Sequence, residues 1–170
     1  MTNFIEPNIS LKSKIQNFKD EFIFNNEVIH GGSRLENYDI PTWLVSIENV
    51  KMEKTCPEGM VTAHTFLIVN EEKIVGIINA RHKLNDYLLK HGGHIGYSIR
   101  KSERNKGYAK KGLNFACQFL FNNFHLDKVL VTCDIENHAS KSVIEACGGI
   151  FENEFSEENR TSLRYWIYKN

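Results

Sequence analysis

The chain has 170 residues, 41% of them hydrophobic and 25% charged, enough for one sizeable core and too few for two comfortable domains. Lys plus Arg and Asp plus Glu balance at 21 each, so no net field recruits nucleic acid or an anionic membrane, and a polyanion would have to be met by a local patch. The four cysteines form no CxxC pair, no apolar run approaches ~18 residues, and the start MTNFIEPNISLKSK reads as neither a signal nor a transit peptide, so a reducing, cytoplasmic setting is expected.

Leu11, Ile15, Phe18 and Phe22 recur at helical spacing and predict a first helix. Asp39 and Pro41, leading into Trp43, Leu44, Ile47 and Val50, predict a second. Between them HGGSRLENYD reads as a polar loop of the kind that borders a binding site. Residues 64–69 and 73–80 are apolar or β-branched runs across a polar turn and predict a hairpin. A third strand over 94–99 follows Gly92 and Gly93, and a basic loop leads into the clearest helix, whose inner stripe is Ala109, Leu113, Ala116, Cys117, Leu120, Phe121 and Phe124. A strand over 128–133 precedes a helix over 138–147 that Gly148 and Gly149 stop, and residues 151–155 and 163–168 make a closing hairpin.

Arg104, Gly107 and Ala109 form an RxxGxA element after a strand and at the start of the long helix, where the first backbone N–H groups have no partner inside the helix. Arg100, Lys101, Arg104, Lys106, Lys110 and Lys111 crowd positive charge around this turn, which suits a diphosphate; a solvated basic face is the alternative reading. No Gly-Lys-Ser/Thr follows, and the GxGxxG spacing of a dinucleotide fold is absent.

With these residues the chain resembles the GNAT superfamily of acetyl-CoA-dependent N-acetyltransferases, whose acetyl-CoA motif is a strand, then Q/RxxGxG/A, then a helix. The next strand, KVLVTCD, is followed by Asn137, Ser140 and Gly148 at the spacing of that family's second motif, and GGHIGYSIRKSERNKGYAKKGL is similar to one subgroup of predicted acetyltransferases. The resemblance implies a single α/β (α+β) domain over 1–170, with variable N-terminal helices in 1–60 and a core over 64–168. It implies a central mixed, mostly antiparallel sheet, helices on both faces, and splayed strands at the CoA site. It further implies acetyl-CoA as cosubstrate, no metal, and CoA contacts from Ile99, Arg100, Lys101, Arg104, Asn105, Lys106, Gly107, Tyr108, Ala109, Lys110, Asn137 and Ser140. Lys101, Asn105 and Ala109 depart from the commoner Pro, Gly and Gly, and Ile144 stands where many members carry a tyrosine proposed to protonate the leaving thiolate.

Acetyl transfer to an amine needs a neutral nucleophile, so a base or a water wire must take a proton from an ammonium of pKa near 10.4. His94, beside two glycines at the start of its strand, is the first candidate, although strict alternation sets His94, Gly96 and Ser98 on the face opposite Ile95, Tyr97 and Ile99. His82 is a second candidate, and with Arg81 it is alternatively a pair that binds a substrate carboxylate. Asp134 and Glu136, after the next strand, are candidates to hold the amine or relay its proton, or else caps of the following helix. Tyr97 is the candidate replacement for the missing tyrosine acid. The expected partner is a small-molecule or peptide amine, with no nucleic acid and no membrane, and the aromatic segment LRYWIY is a candidate homodimer edge. A CoA-binding module that has lost turnover is the competing class, kept open by Ile144.

Overall fold

The computed structural model describes all 170 residues. In chain order the elements are β1 (Thr2–Ile5), α1 (Lys12–Phe24), α2 (Ile40–Asn49), β2 (Ala63–Asn70), β3 (Lys73–Arg81), β4 (Ile95–Ile99), α3 (Tyr108–Phe124), β5 (Lys128–Asp134), α4 (His138–Ala146), β6 (Ile150–Glu157) and β7 (Arg160–Tyr168). The sequence reading lacked β1. Four residues are too few for periodicity to register, and the segment is a strand because it pairs with β2 from Thr2↔Asn70 to Ile5↔Leu67.

Local signals set the helix ends. Asp39 Oδ1 accepts a hydrogen bond from the Thr42 N–H at 2.8 Å, with Pro41 in the first turn of α2. The Asn137 side chain does the same for the Ser140 N–H at 3.0 Å at the start of α4, and Gly148, at φ 84°, takes the left-handed position just past its end. No helix is long and apolar enough to cross a membrane.

The strands form two antiparallel sheets, β1-β2-β3-β4 and β5-β7-β6. Helices cover both faces of the first. On one side α3 packs Leu113, Ala116 and Leu120 against Ile68, Val75, Ile78 and Ile99, and this core runs on through Val131 and Tyr165 into the second sheet. On the other side α1 and α2 bury Ile15, Phe18, Trp43 and Ile47 against Leu67, Ile74 and Ile77. Phe18 and Trp43 are wholly buried, and truncating either to alanine should cost roughly 3–5 kcal/mol.

Helix α3 leaves the end of β4 and carries the chain back to the end where β4 began, because Phe124 stacks on His82, one residue beyond β3, at a ring separation of 3.7 Å. Strand β5 starts there, so β4 and β5 run in the same direction, and the two sheets together are mixed. The closing hairpin corrects one expectation. LRYWIY lies in β7, which is paired on both sides, with β5 through Leu130↔Trp166 and with β6 through Ile150↔Trp166. Its backbone groups are already used, and the free edge is β6.

Candidate active site

Strands β4 and β5 meet at one point and then part. The His94 N–H donates to the Leu130 carbonyl at 2.7 Å, and the Leu130 N–H donates to His94 Nδ1 at 2.9 Å, so the imidazole stands in for a strand carbonyl. Gly93, at φ 63°, makes this approach feasible: a Cβ there would lie 2.6 Å from the Leu130 oxygen. Beyond this junction β4 pairs with β3 alone. The Arg81 N–H donates to the His94 carbonyl at one end of β4 and the Arg100 N–H to the Val75 carbonyl at the other. Strand alternation therefore turns the N–H groups of Tyr97 and Ile99 toward the opposite, unpaired edge, which lines the cleft. The Tyr97 hydroxyl reaches across to Ser140 Oγ at 2.8 Å, tying β4 to α4.

At the open end of β4 the chain turns through Asn105 at φ 62° and Gly107 at φ 81°, both left-handed. Asn is the side chain other than glycine that best tolerates this conformation. The backbone N–H groups of residues 105–110 have no protein acceptor, and the first helical bond is Lys111 N–H to Gly107 O at 3.1 Å. Six consecutive donors thus face outward at the N-terminus of a 17-residue helix. A Cβ on Gly107 would meet nothing within 4 Å, so glycine serves its backbone angle and leaves the surface low enough for a ligand to reach the donors.

Residues 29–150 match the family described as "Acetyltransferase (GNAT) domain". The chain belongs to the GNAT acetyltransferases. A search of curated protein sequences finds no match. Among solved structures the fold is similar to Mycobacterium smegmatis RimJ in complex with CoA-disulfide (TM-score 0.71, 18% identity, 98% of this chain and 81% of that one). It is also similar to the Microcin C7 self immunity acetyltransferase MccE in complex with acetyl-CoA and AMP (0.68, 15%, 99% and 92%). A third is the spermidine N-acetyltransferase from Vibrio cholerae in complex with CoA and spermine (0.65, 17%, 98% and 95%).

The basic residues around the loop of this acetyltransferase divide into braces and free cations. Arg100 is buried: its guanidinium binds Glu21 at 2.5 Å, Asn17 at 3.0 Å and the Ile74 carbonyl at 3.2 Å, and its N–H is spent on Val75. Its side chain and N–H, expected to contact CoA, are thus engaged within the protein, where they tie β4 to α1. Arg104 donates through Nε to the Ile99 carbonyl at 3.0 Å and pairs with Glu27. Lys106 pairs with Glu103 at 2.8 Å; that ion pair, together with one to Lys73, pulls the Glu103 carboxyl down to about 2. Lys101 and Lys110 are exposed and make no ion pair. The sequence reading missed Glu21, Asn17 and Glu27, because nothing local marks a carboxylate or an amide as the partner of an arginine some eighty positions away.

The catalytic candidates are dispersed. His94 is buried, and burial first, then the charge of Arg81, lower its pKa to about 4. Because Nδ1 accepts from Leu130, the neutral ring carries its proton on Nε2, and the nitrogen a base would use is occupied. His82 stacks on Phe124 and touches His64 Nδ1 at 2.7 Å. It lies six residues along from Gly76, the partner of Ile99, hence about 20 Å from the open end. Burial drives its pKa to about 4 as well. Asp134 ends β5 at the mouth, with Oδ1 accepting from the Glu136 N–H at 3.1 Å. Val129, Val131 and Cys133 face the core under α3, so alternation directs Asp134 to the other face. Burial pushes Tyr97 up to about 12, Cys133 to about 11 and Cys117 to about 12, so neither thiol is a ready nucleophile. Ile144 is wholly buried.

The polar loop between α1 and α2 closes over the face of β4 that carries Gly96 and Ser98. The Ser98 hydroxyl donates to the His30 carbonyl at 2.8 Å, and a Cβ on Gly31 would lie 2.2 Å from the Gly96 oxygen. The Trp43 Nε1–H donates to the Gly32 carbonyl at 2.9 Å, fixing the loop from behind. The paired glycines in sequence signalled a loop; only the contact with Gly96 explains why it must be glycine.

Proposed function

We propose that this GNAT acetyltransferase moves an acetyl group from acetyl-CoA to a primary amine by direct attack while both are bound. The row of unpartnered N–H groups over residues 105–110, continuous with the unpaired edge of β4, carries the reading. Such donors favour a diphosphate, and Lys101 and Lys110 add unpaired positive charge beside them. The N–H groups of Tyr97 and Ile99 are suited to hold the pantetheine arm and the developing oxyanion. Asn137 and Ser140 contribute chiefly by building the start of α4 against the cleft, since both side chains are engaged there.

Asp134 takes the proton from the amine, directly or through water, because it is the carboxylate at the mouth on the face away from α3. Tyr97 acts as a hydrogen-bond donor to the departing thiolate rather than as its proton source, since a phenol held near 12 gives up its proton poorly to a thiolate of pKa about 8.5. His94 holds the strands together. The structural neighbours include one that acts on spermidine and one that modifies the N-terminal serine of a ribosomal protein, so a small amine and a peptide N-terminus are both within reach of this fold. Ile144 and the locked His94 favour a second reading, a CoA-binding module without turnover.

Titration with acetyl-CoA, followed by thiol release across an amine panel, separates the readings. Binding with turnover supports the enzyme, binding without turnover supports the module, and no binding removes both.

A further inference from the structure

We infer that the amine substrate carries an anionic oxygen group, a carboxylate or a phosphate, which binds the free edge of the Arg81 guanidinium beside Gly96. The inference rests on the acetyltransferase reading and narrows its substrate class. Arg81 ends β3 on the face shared with Ile77 and Asn79, which is the face covered by the N-terminal elements. Its Nη1 donates to the carbonyls of Gly92 and Gly93 at 3.0 and 2.9 Å. That fixes the plane of the group and leaves Nη2 and Nε without a protein acceptor.

Those two nitrogens are not sealed in, because the one buried side-chain polar atom lacking a partner is Trp166 Nε1. Nη2 lies over the middle of β4: a Cβ on Gly96 would sit 3.3 Å from it, and 3.2 Å from the Cα of Gly31. Gly31 therefore packs directly onto Gly96, and the largely buried guanidinium sits at the rim of this contact with two nitrogens unpartnered, on the strand whose N–H edge faces the cleft.

No carboxylate answers this charge. Arg81 takes part in no ion pair, whereas the arginines at the other end of β4 are matched by Glu21 and Glu27. Burial lowers its pKa, and no carboxylate is among the neighbours that raise it. A guanidinium shielded from water with an open two-donor edge is the geometry that takes a carboxylate or phosphate side-on. The same charge repels an ammonium, so it disfavours a polycationic substrate and helps a bound amine lose its proton.

The test measures acetyl transfer to β-alanine, phosphoethanolamine, β-alaninamide and 1,3-diaminopropane by the native chain, Arg81→Gln and Arg81→Lys. The native protein should prefer an anionic probe over the amide by about tenfold or more in kcat/KM, mostly through KM, with β-alanine against phosphoethanolamine telling carboxylate from phosphate. Arg81→Gln should erase that preference while leaving the amide within about twofold, and Arg81→Lys should keep part of it. Equal use of anionic and neutral probes overturns the inference. So does a variant that lowers kcat for every probe alike, which would mean that Arg81 serves only the Gly92–Gly93 turn or the reacting atoms.

If no probe is turned over, the 15N signal of the Arg81 Nε–H, assigned by its loss in Arg81→Lys, decides the matter. A shift on adding β-alanine or phosphoethanolamine but not β-alaninamide supports the anion site, and a silent signal refutes it. Failure to bind acetyl-CoA would count against the acetyltransferase reading instead.

Discussion

The two ends of β4 are built on opposite terms. At the open end the backbone is left unsatisfied, with six N–H groups over residues 105–110 and no acceptor, while side chains such as Arg100 and Arg104 are consumed in bracing. At the closed end the backbone is satisfied in both directions through Leu130, and the side chain that resembles a catalyst, His94, is used to complete the ladder. Free hydrogen-bonding capacity at the open end therefore lies in main-chain groups, and at the closed end a histidine in a suggestive place is spent on holding two strands together.

The sharpest way to break that comparison is at Gly107. Gly107→Glu puts a carboxylate among the donors and should weaken acetyl-CoA binding by ~100-fold or more in calorimetry. Gly107→Ala has room for its methyl and should show mainly the left-handed backbone cost of about 1 kcal/mol, read as a lower Tm. Equal binding by the two variants would mean that the loop is not the phosphate site. Asp134→Asn should lower kcat by roughly 100-fold. Its Tm should barely move, because the amide oxygen can still accept from Glu136.

At the closed end His94→Ala strands the Leu130 N–H and should cost about 2–3 kcal/mol in denaturant unfolding, while His94→Asn, whose amide oxygen occupies the place of Nδ1, should recover much of it. The Asn variant should keep kcat within about tenfold; a loss near 1000-fold would restore His94 as the base. The pH dependence follows from the same contact. With its folded pKa lowered from 6.5 to about 4, His94 binds fewer protons folded than unfolded between those values. Stability is then full above about pH 6.5 and falls as the pH drops toward 4, by roughly 2 kcal/mol between pH 7 and 5 for this group. His94→Asn should flatten that part of the slope and leave the part due to His82, which is depressed in the same direction. A modest effect is expected for Tyr97→Phe: about tenfold in kcat and about 1 kcal/mol of stability, with KM unchanged.

Much of the fold could be read in the residues. Asp39, Pro41 and Gly148 mark helix ends through contacts within four positions, and the stripe from Leu113 to Phe121 turns one face of α3 inward, although α4 is capped by Asn137 and not by Asp134 or Glu136. The missed strand β1 and the misplaced dimer edge have the same origin, since pairing with β2 or between β5 and β6 depends on partners that no window of sequence contains.

The sequence by itself determined the loop of unpartnered donors, because glycine at a left-handed position and the orphan donors of a helix start are properties of adjacent residues. Which charged and titratable side chains remain available was decided only by tertiary structure. Glu21 reaches Arg100 and Leu130 reaches His94 from elements far along the chain, whereas no acid reaches Arg81. A side chain's chemistry is set by the partner that folding brings to it, and that partner is not its neighbour in sequence.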